Sequence, residues 1–512
     1  MLVKTFGSAL VGIDAMIITV EVSITKGVSY FMVGLPDNAV KESQQRIATA
    51  LENNGFRMPG RRIVVNMAPA DIRKEGSAYD LTLAIGILAA SGQIPGDRTS
   101  NYIIMGELSL DGSLRPVKGA LPIAIKALET GFKGFILPLQ NAREAAIVKG
   151  LEVYGAAHLS EVAGFFAGTD SMQQVVVDAR KEFQDQGNEV DKDIADVRGQ
   201  ENVKRALEIA AAGSHNVLMI GSAGSGKTMM ARCLPSILPP FTLQESLETT
   251  KIHSVAGRTG NELSLMRQRP FRSPHSTITA TAMIGGGVIP RPGEVSLSHN
   301  GVLFLDELPE FQRAVLEILR QPLEDRRIEI SRSKYSVSYP AGFMLVASMN
   351  PCPCGYYNHP DKDCVCPPGM VRKYLNRISG PLLDRIDIHI EVAPVPFEKL
   401  QTKRNAESSI RVRERVTLAR QVQEKRFMHA RNIHSNSRMT SKMLDEHCTT
   451  DSTGRLLLKN AMQKLGLSAR AYDRILKLAR TIADLETSTQ IESIHLAEAI
   501  QYRSLDRETW AG

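Results

Sequence analysis

The chain has 512 residues, enough for two to four domains with separate cores, and its 43% hydrophobic and 23% charged content is that of a soluble globular protein. Its net charge of +7 is a mild excess that permits a polyanionic partner without requiring one. The longest apolar run, residues 81–90, is too short to cross a bilayer, the N-terminus lacks a secretion signal's apolar core, and six cysteines in so long a chain do not make a secreted disulfide scaffold, so no membrane role and a reducing, cytoplasmic setting are expected.

Residues 1–169 alternate strand and helix patterns and form the expected first domain. Strands are expected at 17–22 and 30–33, an amphipathic helix over 38–53 closed by Asn54-Gly55, a strand at 62–66 and a helix over 79–91. Two more strand–helix units follow, 103–110 with 120–129 and 135–137 with 141–148. Residues 170–193 are polar and charged and read as a linker. A second domain, 194–395, opens at Asp196-Val197-Arg198-Gly199-Gln200 and ends near Ala393-Pro394-Val395-Pro396. The remainder, 396–512, is helical in pattern, most clearly over 456–465, 471–485 and 494–505.

The second domain carries the most specific motif. Gly221-Ser222-Ala223-Gly224-Ser225-Gly226-Lys227-Thr228 is a full G-x-x-x-x-G-K-[ST] phosphate loop, preceded by the apolar run 216–220 and followed by a helix-compatible stretch. Its glycines let backbone N–H groups cradle phosphates at a helix N-terminus. Lys227 would reach the β- and γ-phosphates and Thr228 would hold Mg²⁺, so the chain is expected to bind ATP. Downstream, the apolar run 302–305 ends in Asp306-Glu307, acids at the carboxyl end of a buried strand, where open α/β sheets bind ligands. Asp306 suits a water-mediated Mg²⁺ contact and Glu307 suits a general base for the attacking water. A further buried strand, 344–349, ends in Asn350, placed to sense the γ-phosphate or to start the Pro-rich turn after it. Arg385, in Leu382-Leu383-Asp384-Arg385, is the first choice for a cation that reaches a neighbouring subunit's γ-phosphate, with Arg377 second.

Two features lie outside this nucleotide set. Cys352-Pro353-Cys354 and Cys364-Val365-Cys366 are two pairs separated by nine residues. They are candidates for a structural Zn²⁺ site, although C-x-C is tighter than the usual knuckle, and an inert loop or a disulfide are the alternatives; His359 is a poor fifth candidate. Residues 403–442 hold eleven Lys/Arg against three Glu, either a solvated helix face or a phosphate-contacting surface.

The order of phosphate loop, Asp-Glu strand, Asn strand, Leu-Leu-Asp-Arg and helical lid resembles the AAA+ ATPases. Arg291-Pro292-Gly293-Glu294-Val295-Ser296-Leu297-Ser298-His299-Asn300, running into the Asp-Glu strand, is similar to the Mg-chelatase and MCM-helicase branch. With Met349-Asn350-Pro351-Cys352-Pro353-Cys354-Gly355 and Gly12-Ile13-Asp14-Ala15, the whole chain resembles the ComM/YifB-type Mg-chelatase-like family. The resemblance implies an α/β fold: a Lon-protease-like α+β domain, an AAA+ core and a C-terminal helical lid. It also implies a homo-hexameric ring with nucleotide at subunit interfaces, and Arg470 as the lid's nucleotide contact. Two elements would face the pore, the insertion around 283–293 and a hairpin of 327–332 with 335–339. Alternation in that hairpin supports it independently, and Lys334 and Arg332 at its tip are the candidate DNA contacts, or simply solvated.

In the Lon-like domain, Ser77 falls at the protease's nucleophile, but the position of the catalytic lysine is Leu121, and Lys118 lies three residues too early. Without an amine to take its proton, Ser77 is a weak nucleophile. The function implied is a branch-migration helicase that moves single-stranded and branched DNA, including recombinase-coated DNA, to integrate imported strands during natural transformation and recombination. The competing readings are a chelatase motor acting on a protein partner, an ATP-dependent protease and a static ATP-binding scaffold.

Overall fold

A computed structural model of the chain describes residues 1–184, 192–258, 265–287, 290–332, 335–357, 359, 361–395, 407–430 and 433–503. They form two compact units, the first made of Met1–Gln186, Leu243–Arg267 and Pro290–Pro292, the second of Gly187–Thr242, Gln268–Ile289 and Gly293–Gly512. Each is described separately.

Alternation of apolar and polar residues over 18–25 of the strand Asp14–Thr25 puts Ile18, Val20, Val22 and Ile24 on one buried face. This strand lies in a seven-stranded mixed sheet ordered Ser29–Val33, Arg62–Ala68, Asp14–Thr25, Leu2–Val11, Tyr102–Ile104, Gly134–Pro138, Glu152–Ala156. Leu2–Val11 was not among the expected strands. It pairs antiparallel with Asp14–Thr25 along its whole length, Val11 opposite Asp14, and Gly12 supplies the left-handed turn at φ 67°. The helix Asn38–Asn53 is capped by Asp37, whose carboxylate accepts the Val40 N–H at 2.8 Å, and Gly55 follows at φ 78°. All of Asp80–Ala90 is buried. Gly86 lets it approach the sheet, since a methyl there would lie 2.8 Å from Val22 Cγ2. The expected strand 103–110 is instead split into Tyr102–Ile104 and a short hairpin of Glu107–Leu108 with Leu114–Arg115. The expected helix over 141–148 starts earlier, as Leu139–Ala145.

The segment 243–267, expected in the ATPase domain, belongs to the first unit. Its helix Leu243–Ala256 packs on Ala120–Glu129. Leu121, Ile147 and Leu265 are buried together against Leu243 and Leu247. Gly119 N–H donates to the Ser254 carbonyl at 3.1 Å. The carboxylate of Glu144 accepts both the Ser254 hydroxyl and, at 2.9 Å, the Leu121 N–H. Position 121 is therefore an apolar docking point for this helix.

The second unit is built on a five-stranded sheet ordered Phe271–Arg272, Val302–Leu305, Met344–Met349, Val217–Gly221, Ile388–Val392, with every neighbouring pair parallel. Val217–Gly221, Val302–Leu305 and Met344–Met349 are buried at every position, as continuous apolar runs in a parallel sheet should be. C-terminal helices follow at Ser409–Arg426, Ser441–His447, Ser452–Lys464, Ala469–Leu485 and Ser493–Gln501. They share one core with the sheet: Val217, Phe304, Val346 and Ile388 cluster with Val416, Ile475, Leu478, Ile482 and Leu496. The boundary drawn at 395 thus does not separate two cores. Nor is 170–193 bare linker, because it holds the helix Ala179–Gln184. At its far end Asp193 accepts N–H groups of Ala195 at 2.9 Å and Ser409 at 2.8 Å.

Candidate active site

Every residue of Val217–Gly221 is buried, and the chain leaves the sheet there into Ser222–Gly226. Gly224 and Gly226 have φ of 80° and 89°, and a methyl on either would meet nothing within 4 Å. Backbone conformation, rather than space, selects glycine at both. Lys227 then opens the helix Lys227–Ile237. Its Nζ donates at 2.8 Å to the carbonyls of Gly221 and Ser222 and at 3.3 Å to Asn350 Oδ1. Burial lowers its pKa, and the negative charges of Asp306 and Glu307 pull it back up.

Thr228 Oγ1 donates to Asp306 Oδ2 at 2.7 Å. The other carboxylate oxygen, Oδ1, accepts the Ser348 hydroxyl and, at 3.1 Å, the Glu307 N–H. Asp306 is thereby fixed, whereas Glu307 is exposed and held at φ 53°, the left-handed region that side chains avoid. Lys227, Thr228, Asp306, Glu307 and Asn350 are thus gathered at the carboxyl ends of three adjacent strands. Ser348 was not expected; its signal was a small hydroxyl two residues before Asn350 on a strand beside the Asp-Glu strand.

The residues fit a Mg²⁺-bound triphosphate. The loop backbone can close on phosphate oxygens, and Ser225 Oγ, buried in it, has no hydrogen-bond partner among the described residues. Thr228 and Asp306 supply hard oxygen donors of the kind Mg²⁺ takes.

The two arginines assigned to this chemistry have other partners. Arg385 is 8% exposed, and its guanidinium binds Glu324 and, at 2.6 Å, the Pro381 carbonyl. Burial lowers its pKa, Glu324 opposes this, and Arg320, Arg470 and Arg474 lower it further. Arg470 is exposed in the first turn of Ala469–Leu485. Arg377 pairs with Glu310 at 3.1 Å and with the Pro309 carbonyl at 3.3 Å.

The four sulfurs of Cys352, Cys354, Cys364 and Cys366 lie within 4.8 Å of one another and all are free thiols. His359 instead accepts the Asp361 N–H at 3.0 Å. The hairpin pairs Arg327–Arg332 with Tyr335–Pro340 in antiparallel register, Arg332 opposite Tyr335. Lys334 lies outside the described residues. In the basic stretch, Arg415 binds Glu208 at 2.6 Å, Arg420 binds Ser214 Oγ at 2.7 Å and Arg426 binds Asp484 at 2.6 Å. These three cations hold the helix Ser409–Arg426 to its own unit. In the first unit Ser77 donates to the Glu107 carboxylate, and Lys118, its pKa lowered by burial and by Arg291, lies against Gly257.

Numbered along the chain, the second unit's strands run 5-1-4-3-2 across the sheet, with the phosphate loop after strand 1 and the acid pair after strand 3. Fold and site define an AAA+ ATPase. Profiles described as magnesium chelatase subunit ChlI match residues 193–400 and 20–141, and the ChlI C-terminal profile matches 406–503. The chain is 44% identical over 509 residues to competence protein ComM of Haemophilus influenzae, covering 98% of this chain and 97% of that protein. It is 43% identical over 501 residues to protein YifB of Escherichia coli, covering 98% and 96%. A 125-residue stretch is 31% identical to Lon protease 2 of Bacillus subtilis, covering 24% of this chain and 22% of that protein. The chain belongs to the ComM/YifB-type, Mg-chelatase-like family of AAA+ ATPases. Membership carries ATP and Mg²⁺ as the working ligands. No described helix is long and apolar enough to cross a membrane.

Proposed function

We propose that the chain is a ring-forming ATP-driven DNA motor, a branch-migration helicase that extends strand exchange on single-stranded and branched DNA when imported DNA is integrated. The observation that carries the ring is the division of the catalytic set. Lys227, Thr228, Asp306 and Asn350 bond among themselves, while Arg385 is held by Glu324 and Pro381. A second copy of the chain supplies the missing cation. Similarity to a protein named for competence supports the DNA role. Release of Arg385 from Glu324 would accompany its engagement across the interface.

In this mechanism Mg²⁺ would offset negative charge on the triphosphate. Lys227 exchanges its two backbone carbonyls for phosphate oxygens, Thr228 and Asp306 hold the ion, and Glu307 takes a proton from the attacking water. Asn350 orients that water, and Arg385 of a neighbour stabilises charge that develops in the transition state. Arg470 links nucleotide to the helical region, and Arg332 and Lys334 at the hairpin tip follow the DNA backbone. The first unit acts without proteolysis, in assembly or DNA contact. The thiolate set holds a structural zinc ion.

A chelatase-type motor working on a protein partner is the second reading, supported by 23% identity over 352 residues to the magnesium-chelatase 67 kDa subunit of Heliobacterium mobile, covering 62% of this chain and 48% of that protein. ATPase rates with and without forked DNA at low salt separate the two. Stimulation that fades as salt rises supports the DNA motor; no binding and no stimulation supports the chelatase-type reading.

A further inference from the structure

We propose that the metal held by Cys352, Cys354, Cys364 and Cys366 is a positioning device for ATP hydrolysis: it fixes Asn350 and braces the phosphate loop. This rests on the nucleotide-site assignment above and assigns the cysteines a task within it. The donor set is itself suited to zinc. Cys352 Sγ lies 3.3 Å from Cys354 Sγ and 3.6 Å from Cys364 Sγ, and Cys354 to Cys364 is also 3.6 Å. A tetrahedron with Zn–S bonds of about 2.3 Å has sulfurs about 3.8 Å apart. Four thiolates this close repel one another unless a cation lies between them. Cys352 is fully buried, and its sulfur accepts the Tyr357 N–H at 3.3 Å.

The cluster grips Asn350 from both sides. On one side, Cys352 follows Asn350 by two residues, and the turn beyond it is closed by the Gly355 N–H on the Cys352 carbonyl at 3.0 Å. Gly355 has φ 84°, and a methyl on it would lie 3.7 Å from the Ala223 nitrogen of the phosphate loop and 3.9 Å from Asn350 Cγ. The turn therefore passes close to both the loop and the sensor side chain. On the other side, Cys366 leads directly into the helix Pro368–Leu375, whose Tyr374 hydroxyl meets the Asn350 backbone and is also near Cys352. Without the metal, the two supports are no longer tied together through Cys352 and Cys366. Asn350 Oδ1 would then lose the fixed backbone that puts it 3.3 Å from Lys227 Nζ.

The test uses the full chain. Elemental analysis of the reduced protein should find a single zinc per chain, lost in Cys364→Ser and Cys366→Ser. In the metal-free protein kcat should fall about 10- to 100-fold, the scale of a small misplacement of a reacting group, with the ATP dissociation constant little changed. Amide exchange over residues 350–357 should rise on chelation and return when zinc is added back, a readout that needs no turnover. In an Asn350→Ala background, loss of the metal should cost much less activity than it does in the unaltered chain. Should a serine variant fail to fold, chelation and zinc re-addition on the unaltered chain make the same measurements. A reduced chain that takes up no zinc overturns the proposal, as does a metal-free chain with unchanged kcat and unchanged exchange. Absence of ATPase activity in the zinc-loaded chain would instead count against the nucleotide-site reading, with zinc content and exchange still judging the metal centre.

Discussion

Asp387, 4% exposed, ties together the base of the nucleotide site, and replacing it with asparagine should show how much that tie contributes. Its Oδ2 accepts the Asn216 N–H at 3.1 Å, and its Oδ1 binds the Arg474 guanidinium. Asn216 immediately precedes the phosphate-loop strand. It also accepts the Leu345 N–H at 2.9 Å and donates to the Arg385 carbonyl at 2.8 Å. Asp387→Asn keeps a hydrogen-bonding oxygen but removes the charge that Arg474 faces. Breaking a buried ion pair from one side costs about 3–5 kcal/mol. Arg474 is 22% exposed, so water offsets part of this and about 3 kcal/mol is expected. For a unit of about 300 residues the unfolding entropy is about 0.6 kcal/mol/K, which makes the shift in Tm about 5 °C downward.

Acid should erase this difference. Burial is the largest single influence and opposes the charge on Asp387, but Arg474, His215 and the Asn216 N–H together outweigh it and hold its pKa well below the usual carboxylate range. A carboxylate depressed in the folded state contributes stability that is complete above its unfolded pKa of about 3.9 and is lost as pH falls below that value. The native chain should therefore lose stability faster than the variant below about pH 4. Scanning calorimetry of both proteins at neutral pH and in steps down to acid is the assay. A Tm change under about 1 °C at neutral pH, or a gap that stays constant in acid, would refute the reasoning.

Three further outcomes are expected. Glu307→Gln should retain ATP while kcat falls about 10²- to 10⁴-fold, measured by single-turnover hydrolysis; a parental rate removes Glu307 as the base. Lys227→Ala and Arg385→Ala should each be inactive alone, yet an equal mixture should regain about a quarter of the interfaces and measurable turnover. No recovery at any mixing ratio would mean that Arg385 does not act across an interface. Leu121→Lys places a charge among Ile147 and Leu265, so the first unit should lose about 3 kcal/mol in denaturant titration and casein should stay uncut. Casein cleavage by that variant would show that the missing lysine alone had silenced a protease.

The nucleotide site was legible because its parts are local. A buried strand has a fixed exit, so Lys227, Asp306 and Asn350 could be placed from runs of four to six apolar residues. Asp387 and Ser348 were not, since what they do depends on partners far away: Asp387 meets Asn216 at a separation of 171 residues. The basic stretch after residue 403 stayed open between two readings for a similar reason. Arg415 meets Glu407 within the stretch, but Glu208 and Asp484, which bind Arg415 and Arg426, lie outside it. Domain limits suffered most, because Leu121 and Leu265 announce nothing about each other until they touch.

The helix Leu243–Ala256 belongs to the first unit although it follows the phosphate-loop helix in the chain. No single cut of the gene can therefore release either half intact. A fragment ending near residue 186 would bare the apolar side of Ala120–Glu129, and the complementary fragment would carry an orphan helix with Leu243, Leu247 and Leu265 facing water. Anyone wishing to ask what the first half contributes has to graft 243–267 onto it through a short bridge, or leave the chain whole and work by substitution.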